Sequence, residues 1–211
     1  TMGWISLAYA TISIYEGDYR HAFDELTAGI ERARSQLGED AVLCDTLAFI
    51  ASKCAVELGC DRDAEALVLQ GLRTAHGHGM VDTAACGLDA AVKLWDGTAD
   101  SPVAIPRLRG IASSYPPRLS LMLSCYLIQR LMHLGRTKDA VAEAEQIGLR
   151  VEDGRVHMPE WDELSIPRYR DLVAATSIDL LISNGSFRSA EVMITEEFRR
   201  AQAEGRVARL V

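Results

Sequence analysis

The sequence predicts an all-α protein, a superhelical stack of about five antiparallel helix hairpins forming an α-solenoid, and three observations predict it. A glycine followed five residues later by alanine occurs at Gly17/Ala22, Gly59/Ala64, Gly135/Ala140 and Gly185/Ala190. Each step lies between two stretches of helical periodicity, so the glycine turns the chain and the alanine lets the second helix approach the first. The first two copies also share a register, because Ala22, Leu26 and Gly29 recur as Ala64, Val68 and Gly71, 42 residues on. Finally, aromatic residues make up only 6% of the chain while hydrophobic residues make up 48%. Abundant Ala and Leu suit close helix-on-helix packing better than a sheet sandwich.

In chain order, Trp4 to Tyr15 is apolar on most faces and ends at Gly17-Asp18, where Asp18 caps a helix running to about Leu37. That helix carries an apolar stripe at Ala22, Leu26, Gly29, Ile30 and Ala33. Gly38-Glu39-Asp40 breaks the pattern. Ala41 to Leu58 forms the next helix, with small residues at Ala48, Ala51, Ser52 and Ala55, and Asp61 to Ala75 its partner. His76-Gly77-His78-Gly79 reads as a solvated turn rather than a metal site, since no acidic or thiol partner stands at ligand spacing. Asp82 or Thr83 starts a helix reaching Trp95, and a helix from about Pro102, or after Pro106, to Ser114 completes a degenerate third unit with Pro102 where the others have Ala. After the Tyr115-Pro116-Pro117 break, Arg118 to Leu134 and Lys138 to Ile147 form the clearest remaining hairpin. Gly148 to Ile166 departs from the period and is expected to be a long connection of irregular or short helical structure. Pro167 to Ser183 and Ser186 to Glu204 make the last pair, and Arg206 to Val211 reads as the start of a further helix.

With 30 acidic against 22 basic residues the formal charge is −8, which opposes a phosphate backbone, so direct nucleic-acid binding by this chain is not expected. The absence of a long apolar run and of a basic leader points away from membrane insertion and secretion, and a cytoplasmic location is expected. Five cysteines at unrelated spacings, with no C-x-x-C pair, read as reduced core thiols. Carboxylates are plentiful, but none stands at a catalytic spacing from a nucleophile or histidine, and Glu196-Glu197 with Arg199-Arg200 reads as a solvated helix face. No enzyme activity, metal or cofactor is expected.

The glycine-to-alanine grammar resembles the tetratricopeptide repeat, with glycine spacings of 42, 76 and 50 residues in place of the usual ~34. The stretches Leu131 to Ala140 (LMHLGRTKDA), Glu145 to Arg150 and Ala201 to Arg206 are similar to phrases of the helical repeat region in MalT-like, LuxR-type bacterial transcription activators. Tyr115 to Leu119 and Ala48 to Ala66 are similar to that region too, in the same order. The likeness spans nearly the whole chain and rests on helical phrasing rather than on catalytic residues. It implies one repeat domain over residues 1–211, excised from a larger regulator whose nucleotide-binding switch and helix-turn-helix lie elsewhere. Neither a G-x-x-x-x-G-K-[ST] loop nor a basic terminal helix-turn-helix is present here. The implied partners are a small-molecule inducer or regulatory protein, and the other domains of the same chain. A generic interaction scaffold without a transcriptional role is the alternative.

A stack of hairpins exposes the first helix of each pair on a concave face, where such repeats bind. The register turns Trp4, Thr11, Phe49, Lys53, Trp95, Gln129 and His133 toward it. Packing competes with ligand contact for Trp4, Phe49 and Trp95. Lys53, interrupting an Ala-rich helix, either snorkels at the rim or offers a cation to an anionic effector, and His133 next to Met132 suits a satisfied, half-buried histidine. Homo-oligomerisation through an apolar end face is also expected.

Overall fold

The periodic stretches fold as helices. A computed structural model of the chain describes residues 2–38, 41–74, 80–98, 101, 103–158, 160 and 166–205. In chain order they form α1 (Met2–Tyr15), α2 (Tyr19–Leu37), α3 (Val42–Glu57), α4 (Asp61–Thr74), α5 (Val81–Leu94), α6 (Ile105–Ser113), α7 (Pro117–His133) and α8 (Thr137–Gln146). Two short strands follow, β1 (Arg150–Glu152) and β2 (Arg155–His157), and then α9 (Pro167–Ser183) and α10 (Phe187–Ala203). The His76-Gly77-His78-Gly79 loop, Pro102 and the Arg206 to Val211 tail lie outside the described residues.

The four glycine steps have one geometry. Gly17, Gly59, Gly135 and Gly185 all adopt left-handed backbone, with φ of 80°, 69°, 71° and 74°. In each case the following N–H donates to the carbonyl five residues back: Asp18 to Ser13 and Arg136 to Leu131 at 2.8 Å, Cys60 to Ala55 at 2.9 Å, Ser186 to Leu181 at 2.8 Å. This closure satisfies carbonyls that a helix end leaves unpaired, and glycine enters it without the ~1–2 kcal/mol penalty of an L side chain. No described atom lies within 4 Å of a Cβ placed on any of the four; backbone conformation rather than crowding therefore selects glycine. Ala22, Ala64, Ala140 and Ala190, five residues on, are all buried.

The chain divides into two compact units, Thr1–Leu123 and Ser124–Val211, the division falling inside α7. In the first unit α3 is the central element, packed against α2, α4 and α5. Its Leu47, Ala48, Ile50, Ala51 and Cys54 share one buried cluster with Ala10, Ala22, Leu26 and Ile30. Each fully buried Leu or Ile there contributes about 1.5–3 kcal/mol relative to exposure. On the opposite side of α3, Phe49 lies against Gly71 of α4 and Gly87 of α5, where a Cβ on either glycine would overlap the ring. A bulky ring thus fits between close-approaching backbones.

In the second unit α9 packs against α10, β1 lies beside α8 and β2 beside α9. The expected irregular or short helical connection over 148–166 is corrected in part, because β1 and β2 form an antiparallel hairpin pairing Arg150 with His157, Val151 with Val156 and Glu152 with Arg155. Its cause is local. Asp153 (φ 49°) and Gly154 (φ 70°) supply the two positive-φ residues of a type I′ turn, the two-residue connection whose twist matches flanking strands. Residues 159 and 161–165 lie outside the described residues.

The packing of Phe49 gives a test of sign. Gly→Ala inside a helix ordinarily stabilises by about 0.5–1 kcal/mol, and the exposed Gly110 of α6, with open space around it, should show that gain on urea denaturation. Gly87→Ala should instead destabilise by about 1–3 kcal/mol through overpacking. Combining it with Phe49→Leu should recover at least about 0.5 kcal/mol relative to the sum of the single changes; strict additivity would contradict the close approach.

Candidate functional site

The seven residues that the repeat register selects do not all reach a surface. On α1, Trp4 is 54% exposed and Thr11 is exposed, its Oγ1 donating to the Leu7 carbonyl at 2.7 Å. Seven residues apart on one helix, the two share a face. Phe49 belongs to the core as described, and Trp95 is buried too, its Nε1 donating to the Thr98 carbonyl at 2.8 Å. Both rings therefore serve packing rather than an open groove, whereas Trp4 does not.

Lys53, one turn beyond Phe49 on α3, is only partly exposed and already engaged. Its Nζ lies 3.5 Å from Oδ2 of the buried Asp89 on α5, and Lys93 Nζ lies 3.6 Å from the same oxygen while donating to Glu57 Oε1 at 2.7 Å. Two ammonium groups and two carboxylates thus neutralise one another across α3 and α5. Burial works against the charge on Lys93, but Asp89 and Glu57 outweigh it and hold its pKa above the ordinary lysine value. Of the two readings of Lys53, the cation offered to an anionic effector loses ground, since Asp89 takes that charge. The sequence carries the signal for this quartet in two i,i+4 opposite-charge pairs, Lys53/Glu57 and Asp89/Lys93, on otherwise apolar helices.

In the second unit Gln129 and His133 stand one turn apart on α7 and face α9. Gln129 Nε2 donates to Thr176 Oγ1 at 3.2 Å, and that hydroxyl donates to the Leu172 carbonyl at 2.9 Å. One turn before Gln129, burial pushes the pKa of the Cys125 thiol up to about 12, with Thr176 pulling it partly back. Burial likewise raises the Asp179 carboxyl on α9, with His133 pulling it partly back. His133 itself is exposed rather than half-buried. Cys125, Gln129, His133, Thr176 and Asp179 so form a polar seam between two helices; Thr176 and Asp179 escaped the sequence reading because no spacing within one helix links them to α7.

Concave features are modest. A groove of about 270 Å³ between α1 and α2 is lined by Ile5, Ser6, Tyr9, His21, Glu25 and Arg32. In the second unit a cleft of about 160 Å³ among α8, β1 and α9 is lined by Val141, Leu149, Val151 and Leu180, with Thr137 and Asn184 at polar positions. Among the described residues no group of three His, Cys, Asp or Glu side chains is placed to hold a metal ion, and no helix is long and apolar enough to cross a membrane. None of the five cysteines is disulfide-bonded, and Cys44, Cys54 and Cys125 are buried. The coordinates define an all-helical chain with recurrent glycine turns. Comparison with protein-family profiles, curated proteins and solved structures gave no match to it.

Two measurements check the electrostatics. Burial also raises the Cys54 thiol to about 12, so at pH 8 Cys54 and Cys125 hold roughly one part in ten thousand of thiolate. Mass-spectrometric mapping of iodoacetamide labelling should find the partly exposed Cys60 modified first, with Cys54 and Cys125 protected until the protein unfolds. A carboxyl raised in the folded state lowers stability as pH rises from its unfolded value through its folded one. Asp179→Asn should therefore raise the melting temperature at pH 7, with the gain fading as pH falls toward the ordinary aspartate value; an equal gain at pH 3 would refute the assignment.

Proposed function

We propose that the chain is a regulatory helical repeat segment of a MalT-like, LuxR-type transcription activator, its helix pairs arranged as a stack of antiparallel hairpins that receives an effector or partner protein. The observation that carries this reading is the recurrence of one turn geometry at Gly17, Gly59, Gly135 and Gly185, each followed by a buried alanine at the same distance. Repeated turns of one geometry are how a repeat protein stacks like units, and such stacks serve recognition rather than bond-breaking. An effector preferring one curvature of the stack would bias an attached switch by population shift. Interaction-scaffold function without transcription is the second reading. It is favoured by the apolar, aromatic exposed face of α1, which suits a protein partner better than a small inducer.

The complete open reading frame separates the two. A phosphate-loop segment before residues 1–211 and a basic helix-turn-helix after them are expected, and deleting these 211 residues should abolish inducer-dependent transcription from a reporter. A frame lacking those neighbours, or inducer dependence that survives the deletion, overturns the regulatory reading and leaves the scaffold.

A further inference from the structure

α1 contains no charged residue, yet a broad arc of it faces outward: Ile5 is 47%, Tyr9 58% and Ile12 55% exposed. A helix apolar on every side is ordinarily buried. The register shows what kind of surface would cover it. Shifted by the 42 residues between Gly17 and Gly59, Ile5, Ala8, Tyr9 and Ile12 take the positions of Leu47, Ile50, Ala51 and Cys54. Those are the α3 residues buried in one cluster with Ala10, Leu26 and Ile30.

The complementary half of that interior contact also recurs uncovered. Shifted by the 168 residues between Gly17 and Gly185, Ala22, Leu26, Ile30 and Ala33 of α2 become Ala190, Ile194, Phe198 and Ala201 of α10, and Ala10 becomes Ile178 of α9. Ala190 and Ala201 are buried like their counterparts, but Ile194 and Phe198 are each 48% exposed where Leu26 and Ile30 are buried. With Ile178 they line an open groove of about 170 Å³ between α9 and α10. It occupies the register position that α3 fills against Ala10, Leu26 and Ile30 in the first unit.

We propose that the groove formed by Ile178, Ile194 and Phe198 receives the Ile5/Tyr9/Ile12 face of α1 from a second copy of this chain, reproducing between molecules the contact that joins α2 to α3 within one. The two surfaces differ, so the association is head-to-tail and extends into rings or open chains rather than stopping at a symmetric dimer. It rests on the register and the interior contact alone, independently of any transcriptional role.

Sedimentation velocity on the 211-residue chain tests it. The wild-type sedimentation coefficient should rise from micromolar to hundreds of micromolar protein. Ile5→Glu/Tyr9→Glu and Ile194→Glu/Phe198→Glu should each give monomer at every concentration, with unchanged helical circular dichroism, since the altered side chains are about half exposed. Mixed in equal amounts, the two variants should form a discrete 1:1 heterodimer, because each keeps the face the other has lost. Should either double variant lose helicity, Ile12→Lys and Phe198→Lys are the replacement pair, with the same expectation. A wild-type monomer throughout overturns the proposal, as does a mixture that stays monomeric while wild type associates; so does self-association of Ile194→Glu/Phe198→Glu alone, which would mark a symmetric α1-to-α1 contact.

Discussion

A helix can be followed after three residues by another lying against it only if the chain reverses within one turn and leaves no buried carbonyl unpaired. The left-handed glycine meets both demands. Its positive φ redirects the backbone, and the six-to-one hydrogen bond that follows takes up a carbonyl of the helix just ended. Because Gly17, Gly59, Gly135 and Gly185 share this geometry, the distance to the next buried alanine is fixed, and with it the phase of the second helix's apolar stripe. Gly148 closes the end of α8 in the same way, with Leu149 N–H reaching the Ala144 carbonyl at 2.9 Å. The chain then enters a strand, so the turn ends a helix without deciding what comes next.

Packing in the first unit depends on size contrast rather than on bulk. α3 offers Ala48, Ala51, Ser52 and Ala55 to its neighbours and one large ring, Phe49, to the two glycines that can accept it. Gly29 is a milder instance, where an added Cβ would sit 2.9 Å from Ser6 Cβ on α1. Small-to-large substitution at such points costs strain and large-to-small leaves a cavity, so the helix spacing is held from both sides. The charges follow the same economy: Asp89 is buried only because Lys53 and Lys93 meet it, and the quartet ties α3 to α5 without leaving net charge.

These features bear on recognition. Among the described residues, intramolecular packing leaves apolar surface open on the outer face of α1, in the α9–α10 groove and in the cleft beside the β1–β2 hairpin. The polar seam along Cys125, Gln129 and His133 is different, because Gln129 is engaged with Thr176 and the Cys125 thiol is held protonated. It joins α7 to α9 through the Gln129–Thr176 hydrogen bond.

The all-helical class, nearly every helix and the four turns were decided by the sequence alone, because a glycine that must take positive φ and a stripe at helical spacing are local properties carried by neighbouring residues. The β1–β2 hairpin was equally local, in Asp153-Gly154 between Val151 and Val156. It escaped because three-residue strands give too short an alternation to stand out beside long helical periods. The candidate residues divided differently. Neither the burial of Phe49 nor the exposure of Trp4 is written in helical spacing, because an aromatic's fate depends on whether a glycine of another helix lies opposite. Likewise only the fold could bring Lys53 to Asp89 or His133 to Asp179, since charge neutralisation and desolvation act between side chains that are neighbours in space and distant along the chain.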